Sequence, residues 1–170
     1  MSKDTTFKEL KKSGYKNQTI NQEIQSNLIA RIKANQPVFE GLYGYEDTVV
    51  PQLKKAIIAG HHINLLGLRG QAKTKIARSM VDLLDEYMPI VKGSEINDSP
   101  FEPISKYARD LIVEMGDKTP ISWVHRSERF FEKLATPDVN VSDLIGDIDP
   151  IKAATLKLPY SDERVLHYGM

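Results

Sequence analysis

Gly67 and Gly70, followed by Gln71, Ala72, Lys73 and Thr74, stand between the apolar run Ile63-Asn64-Leu65-Leu66 and a segment with Ile76, Met80, Leu83 and Leu84 at helical spacing. No other feature constrains the fold as much, because the order reads as a short buried strand, a tight loop and an amphipathic helix. Strand, loop and helix in that sequence point to an α/β layer. In such a loop, successive backbone N–H groups face one concavity and hold anionic oxygens, and the start of the helix adds positive potential.

The spacing of Gly67 to Thr74 differs at one position from the phosphate loop of nucleoside triphosphatases. Ala72 stands where that pattern has its second glycine. Lys73 would reach the β and γ phosphates as a point charge, and the Thr74 hydroxyl would take one position on Mg²⁺. Gly67, Arg69, Gly70, Gln71, Ala72, Lys73, Thr74 and Lys75 are therefore the candidate ATP-binding residues, with Lys73 as the candidate catalytic group. The methyl group of Ala72 calls for a negative φ, which leaves Gly67 and Gly70 to supply φ above zero. The same residues also describe a glycine-rich turn that joins a strand to a helix and binds nothing.

The chain has 170 residues, 41% hydrophobic and 27% charged, which suits one core with an extension. Basic and acidic residues number 23 each, so no overall attraction to nucleic acid or an anionic membrane is expected. No cysteine is present, which removes disulfides, thiolate metal sites and thiol catalysis. The polar start Met1-Ser2-Lys3-Asp4-Thr5-Thr6 lacks a secretory core, and no apolar run approaches membrane-spanning length. A cytoplasmic protein without membrane or nucleic-acid partners is the expectation.

Residues 1–18 read as a loosely attached, lysine-rich arm with Phe7, Leu10 and Tyr15 as its anchors. Thr19 and Gln22 form a capping box that opens a helix with Ile20, Ile24, Leu28 and Ile32 on one stripe, closed by Pro37. A second helix carries Val49, Val50, Leu53, Ala56 and Ile57, with Pro51 in its first turn and Gly60 at its end. The helix after the glycine loop should run to about Tyr87, followed by a strand over 88–92, a turn-rich stretch over 93–103, a helix over 104–115 ended by Gly116, and a strand over 121–125. These spacings divide the chain into an arm and amphipathic helix over 1–36 and the remaining part over 37–170.

Three other constellations compete for a role. Leu83-Leu84-Asp85-Glu86 imitates the second acidic motif of a triphosphatase but falls on the helix after Lys73, where a solvated helix end is the simpler reading. Asp138, Asn140, Ser142 and Asp149 fit a calcium-loop register, yet Asp143 occupies the position that requires glycine, so capping and turns account for them better. Trp123 with His125, Arg126 and Arg129 spells a basic aromatic patch, against which stands a buried indole beside a solvated charged face. His61, His62, His125 and His167 lack the spacing of a metal site.

Taken together, Tyr43-Gly44-Tyr45-Glu46, the helix end Ala59-Gly60-His61-His62 and Gly67 to Thr74 resemble the opening of an AAA+ ATPase module of the MoxR and magnesium-chelatase branch. Glu132 to Val139 and Asp143 to Ala153 resemble the segment that this branch carries before its Mg²⁺-binding strand, so the likeness spans roughly 38–170. The resemblance implies a P-loop NTPase domain of three αβα layers with a helical extension, and residues 42–44, among them Tyr43 and Gly44, would line an adenine pocket. It also implies a ring, usually hexameric, that couples ATP hydrolysis to the remodelling of a partner, in several members one with a von Willebrand type A domain. In the family the second acidic motif, sensor residue, arginine finger and lid lie beyond the point matching Tyr168-Gly169-Met170. These residues are thus expected to be the N-terminal part of a longer ATPase, able to hold phosphates and unable to hydrolyse ATP by themselves. A missing half-sheet would leave an exposed edge and a tendency to associate. Two further readings stay open, a non-catalytic scaffold with a vestigial loop and a small phosphotransferase.

Overall fold

A computed structural model describes residues 5–169; residues 1–4 of the expected arm, and Met170, lie outside them. In chain order the elements are β1 (Thr5–Thr6), α1 (Phe7–Lys12), α2 (Ile20–Lys33), α3 (Val49–Ile58), α4 (Lys73–Ser79), β2 (Tyr87–Val91), α5 (Lys106–Met115), β3 (Pro120–His125), α6 (Val141–Ile145), β4 (Asp147–Ile148), α7 (Pro150–Leu156) and β5 (Leu166–His167). Short 3-10 turns follow α4, α5 and β3 and precede β5. The strands form a three-stranded sheet in the order β1-β3-β2 and a hairpin of β4 with β5.

Two compact units result. Of the described residues, one comprises 5–15, 89–124 and 131–169, and the other 16–88 and 125–130.

The first unit corrects the loosely attached arm. Thr5 and Thr6 pair antiparallel with Ile121 and Pro120, and Thr6 opens α1 with a full capping box to Glu9. Phe7, Leu10 and Ile121 form a core on which Tyr15, Phe101 and Trp123 pack. Phe7 meets Phe101 edge-on at 5.3 Å between ring centroids, a geometry that aligns ring edge with ring face. The Trp123 indole N–H donates to the Thr5 hydroxyl at 3.3 Å. The segment is thus held by partners more than 100 positions away, which local composition could not announce.

A buried carboxylate organises the turn-rich stretch of the same unit. Asp98, 3% exposed, accepts from the amides of Ile104 and Ser105 and from the hydroxyls of Ser94 and Ser105, at 2.6 to 2.9 Å. Ser105 in turn caps α5 through the Ala108 amide. Farther on, Asp149 caps α7 by accepting from Ile151 and Lys152, so its place in the calcium register is filled by a capping role. No group of three or more metal-ligating side chains occurs among the described residues.

In the second unit, α2 begins at the Thr19 capping box as the sequence requires. Its apolar stripe covers the core in the middle: Leu28 is fully buried, whereas Ile20 and Ile32 are exposed. The buried face also carries a charge. Glu23 accepts two hydrogen bonds from the Arg129 guanidinium and one from the Asp85 amide, and both side chains of the pair are less than 10% exposed. Arg129 therefore does not belong to a solvated basic patch, and Arg126 pairs with Asp82. Leu28 packs with Phe39, Leu42, Val50, Leu53, Ile57, Ile76 and Leu83 in one core.

The helix after the glycine loop is shorter than its spacing suggests. α4 ends at Ser79, a 3-10 turn spans Met80–Leu83, and Leu84 is already extended. Leu83 and Leu84 are buried, whereas Asp85 and Glu86 are exposed as expected but follow the 3-10 turn instead of ending a helix, with the Asp85 carboxylate accepting from the Asn27 side chain. Among the described residues no helix is long and apolar enough to cross a membrane.

Candidate functional site

All ten sequence-derived candidates lie in the second unit. The segment before the loop departs from expectation, since residues 61–68 form no regular element. Ile63 and Leu65 pack against the core while Asn64 is exposed and Leu66 is 87% exposed. The period of two is therefore real, but a strand also needs a neighbour for its ladder, and neither sheet includes these residues. Periodicity identified the face and could not supply the partner.

Within the loop, Gly70 takes φ of +80°, with nothing within 4 Å of where a Cβ would stand. Ala72 has φ of +52° and ψ of +17°, contrary to the negative φ expected for a residue with a methyl group. The left-handed region costs an alanine about 1–2 kcal/mol. Here the side chain packs on the hydrophobic core, and the carbonyl of Ala72 accepts the Ile76 amide at 2.9 Å, so packing and the first helical hydrogen bond hold the conformation. The chain thus keeps a glycine-like backbone at the position where the pattern has glycine.

The loop satisfies itself through two side chains. Gln71 turns back, and its Oε1 accepts the Leu68 amide at 2.8 Å. The Lys73 ammonium donates to the carbonyls of Gly67 at 2.9 Å and Leu68 at 2.5 Å, which draws the loop around the charge. No salt bridge to Lys73 occurs among the described residues, so its partners are neutral oxygens. Residues 66–71, Thr74 and Lys75 are exposed, and Thr74 is the second residue of α4.

Lys75 goes elsewhere. Its ammonium donates to the carbonyl of Gly41 at 2.5 Å, across 34 residues, and so is not directed at the loop. Gly41 and Gly44 have φ of +76° and +80°, and Tyr43 is 84% exposed. A cavity of about 550 Å³ is walled by Phe39, Gly41, Leu42, Tyr43, Val50 and Lys54, among others. Gly41 and the first turn of α4 are thereby tied together through one side chain, a link across 34 residues that no local pattern announces.

Donors for a divalent cation are sparse in this loop. Gly67 to Lys75 contains no carboxylate and one well-placed hydroxyl, that of Thr74. Magnesium commonly keeps waters and takes the remaining ligands from substrate phosphates, so a single hydroxyl fits an ion that arrives with a nucleotide. Thr74 would then hold the cation, whose chemistry is to bridge and neutralise phosphate oxygens.

No family model, curated protein or solved structure matches the chain. The likeness to AAA+ modules therefore rests on the residues themselves.

Proposed function

We propose that the chain is the ATP-binding portion of an AAA+ ATPase of the MoxR and magnesium-chelatase type, with Gly67 to Thr74 as its phosphate loop. The observation that carries this reading is the Lys73 ammonium gathered on the carbonyls of Gly67 and Leu68. A lone lysine held by neutral oxygens can exchange them for phosphate oxygens, because hydrogen bonds between ionised partners are about twice as strong. Gly67, Gly70 and Ala72 shape the turn, Thr74 meets Mg²⁺, and residues 42–44 receive the base. In the complete enzyme, hydrolysis would drive remodelling of a partner protein in a cytoplasmic ring. A second acidic motif is not evident in these residues, so turnover by this chain is expected to be near zero.

Titration with ATP and Mg²⁺, read by thermal shift and by a fluorescent ATP analogue, tests the proposal. The intact chain should bind, and Lys73→Ala should weaken binding by at least about tenfold. Equal binding by Lys73→Ala, or no response at millimolar ATP, would favour a scaffold with a vestigial loop.

A further inference from the structure

Lys75 is the third residue of α4, and its ammonium leaves the loop to donate to the carbonyl of Gly41. Gly41 lies in a stretch of backbone that needs external support. Phe39, Gly41 and Gly44 have φ of +63°, +76° and +80°, and an aromatic residue persists in the left-handed region only where its surroundings over-determine it. Phe39 and Leu42 are buried and anchor the stretch on either side of Gly41, and the Leu42 amide donates to the Phe39 carbonyl at 3.3 Å. At Gly41 itself the hold is Lys75, whose ammonium nitrogen stands 3.1 Å from where a Cβ would sit. The same glycine walls the 550 Å³ cavity together with Phe39, Leu42, Tyr43 and Val50. Glu40, Glu46 and Lys54 line it as well, so its apolar and aromatic groups can cover a flat ring while the polar ones fix the ring's orientation.

Resting on the reading of Gly67 to Thr74 as an ATP site, we propose that Lys75 is a positioning residue for the nucleotide's base. It fixes the Gly41 carbonyl, and with it residues 39–44, to the same helix that begins with Lys73 and Thr74. The distance between the groups that meet the phosphates and the groups that meet the base is thereby set, so that one ligand can satisfy both. Lys75 itself touches no phosphate in this arrangement, although it follows the loop directly in sequence.

The test compares ATP with inorganic tripolyphosphate, each with Mg²⁺, by calorimetric titration of the intact chain and of Lys75→Met, Lys75→Arg and Lys73→Ala. The intact chain should bind ATP about tenfold or more tightly than tripolyphosphate. Lys75→Met should lose most of that preference while its tripolyphosphate affinity stays within about twofold, and Lys75→Arg, which keeps a donor for Gly41, should recover it. Lys73→Ala should weaken both ligands alike. If Lys75→Met weakens both equally, or neither, the positioning role is overturned while the ATP reading stands; if the intact chain binds neither, the ATP reading falls and this inference with it. Should Lys75→Met fail to fold, Gly41→Ala carries the same test, since its methyl group crowds the ammonium: the selective loss of ATP supports the role, and unchanged ATP affinity overturns it.

Discussion

Two loops of this chain share turn-forming composition and solve opposite problems. Residues 93–105 close around Asp98, a buried carboxylate that accepts four hydrogen bonds from its own loop and the start of α5. Residues 67–74 close around the Lys73 ammonium, which uses two neutral carbonyls in an exposed loop. The first arrangement commits its charge to the fold, because each donor facing Asp98 would be stranded without it. In the second, the charge sits beside solvent with partners that an anion can replace. The two loops are told apart by where the charged group is buried and by what it would lose on leaving.

The sharpest way to break this contrast is Asp98→Ala, which should destabilise the chain by about 3 kcal/mol in urea unfolding, since several buried donors lose a charged acceptor. An effect below about 1 kcal/mol would place the two loops in the same class. Acid should show the same commitment. Burial by itself would raise the Asp98 pKa, but hydrogen bonds from the Ser105 and Ser94 hydroxyls and the Ser105 and Ile104 amides outweigh it and hold the pKa below its ordinary value of 3.8. The unfolded chain therefore binds the proton more readily, so the stabilisation is full above about pH 4 and fades as pH falls through the lower folded value. Urea midpoints followed from pH 5 to pH 2 should accordingly fall more steeply for the wild type than for Asp98→Asn.

On the other side of the comparison, Ala72→Gly should stabilise by up to about 1 kcal/mol, as relief of the left-handed strain exceeds the loss of one methyl contact and the added freedom of the unfolded chain. Clear destabilisation would mean that the methyl packing, rather than the backbone geometry, governs this turn. The smallest effect belongs to Gln71→Ala, which releases the exposed Leu68 amide to water and should alter stability by less than about 0.5 kcal/mol in the same assay.

Features set by neighbours in sequence were legible before the fold was known. The Thr19 to Gln22 capping box, Gly60 at the end of α3 and Gly116 at the end of α5 each depend on a few adjacent residues, and each stands where the pattern places it. Features that depend on distant partners were not. Ile63 to Leu66 shows alternation but has no ladder, Phe7 and Leu10 are buried against β3, and Glu23 gave no sign that Arg129 would neutralise it inside the core. At the candidate site, residue types and order were readable from Gly67 to Thr74. The left-handed Ala72 and the Lys75 link to Gly41 were not, because the one depends on core packing and the other on a segment 34 residues away.

The buried pairing of Glu23 with Arg129 has a consequence for dissecting the molecule. Residues 125–130 belong with 16–88 although the intervening chain builds the other unit, so no single cut releases either half intact. A truncation after Met88 would strand a carboxylate without its counter-ion in an apolar interior, which typically costs about 3–5 kcal/mol. Shuffling experiments that treat residues 16–88 as a portable cassette would have to carry that six-residue excursion along as a grafted loop, or replace Glu23 with a neutral residue of similar volume.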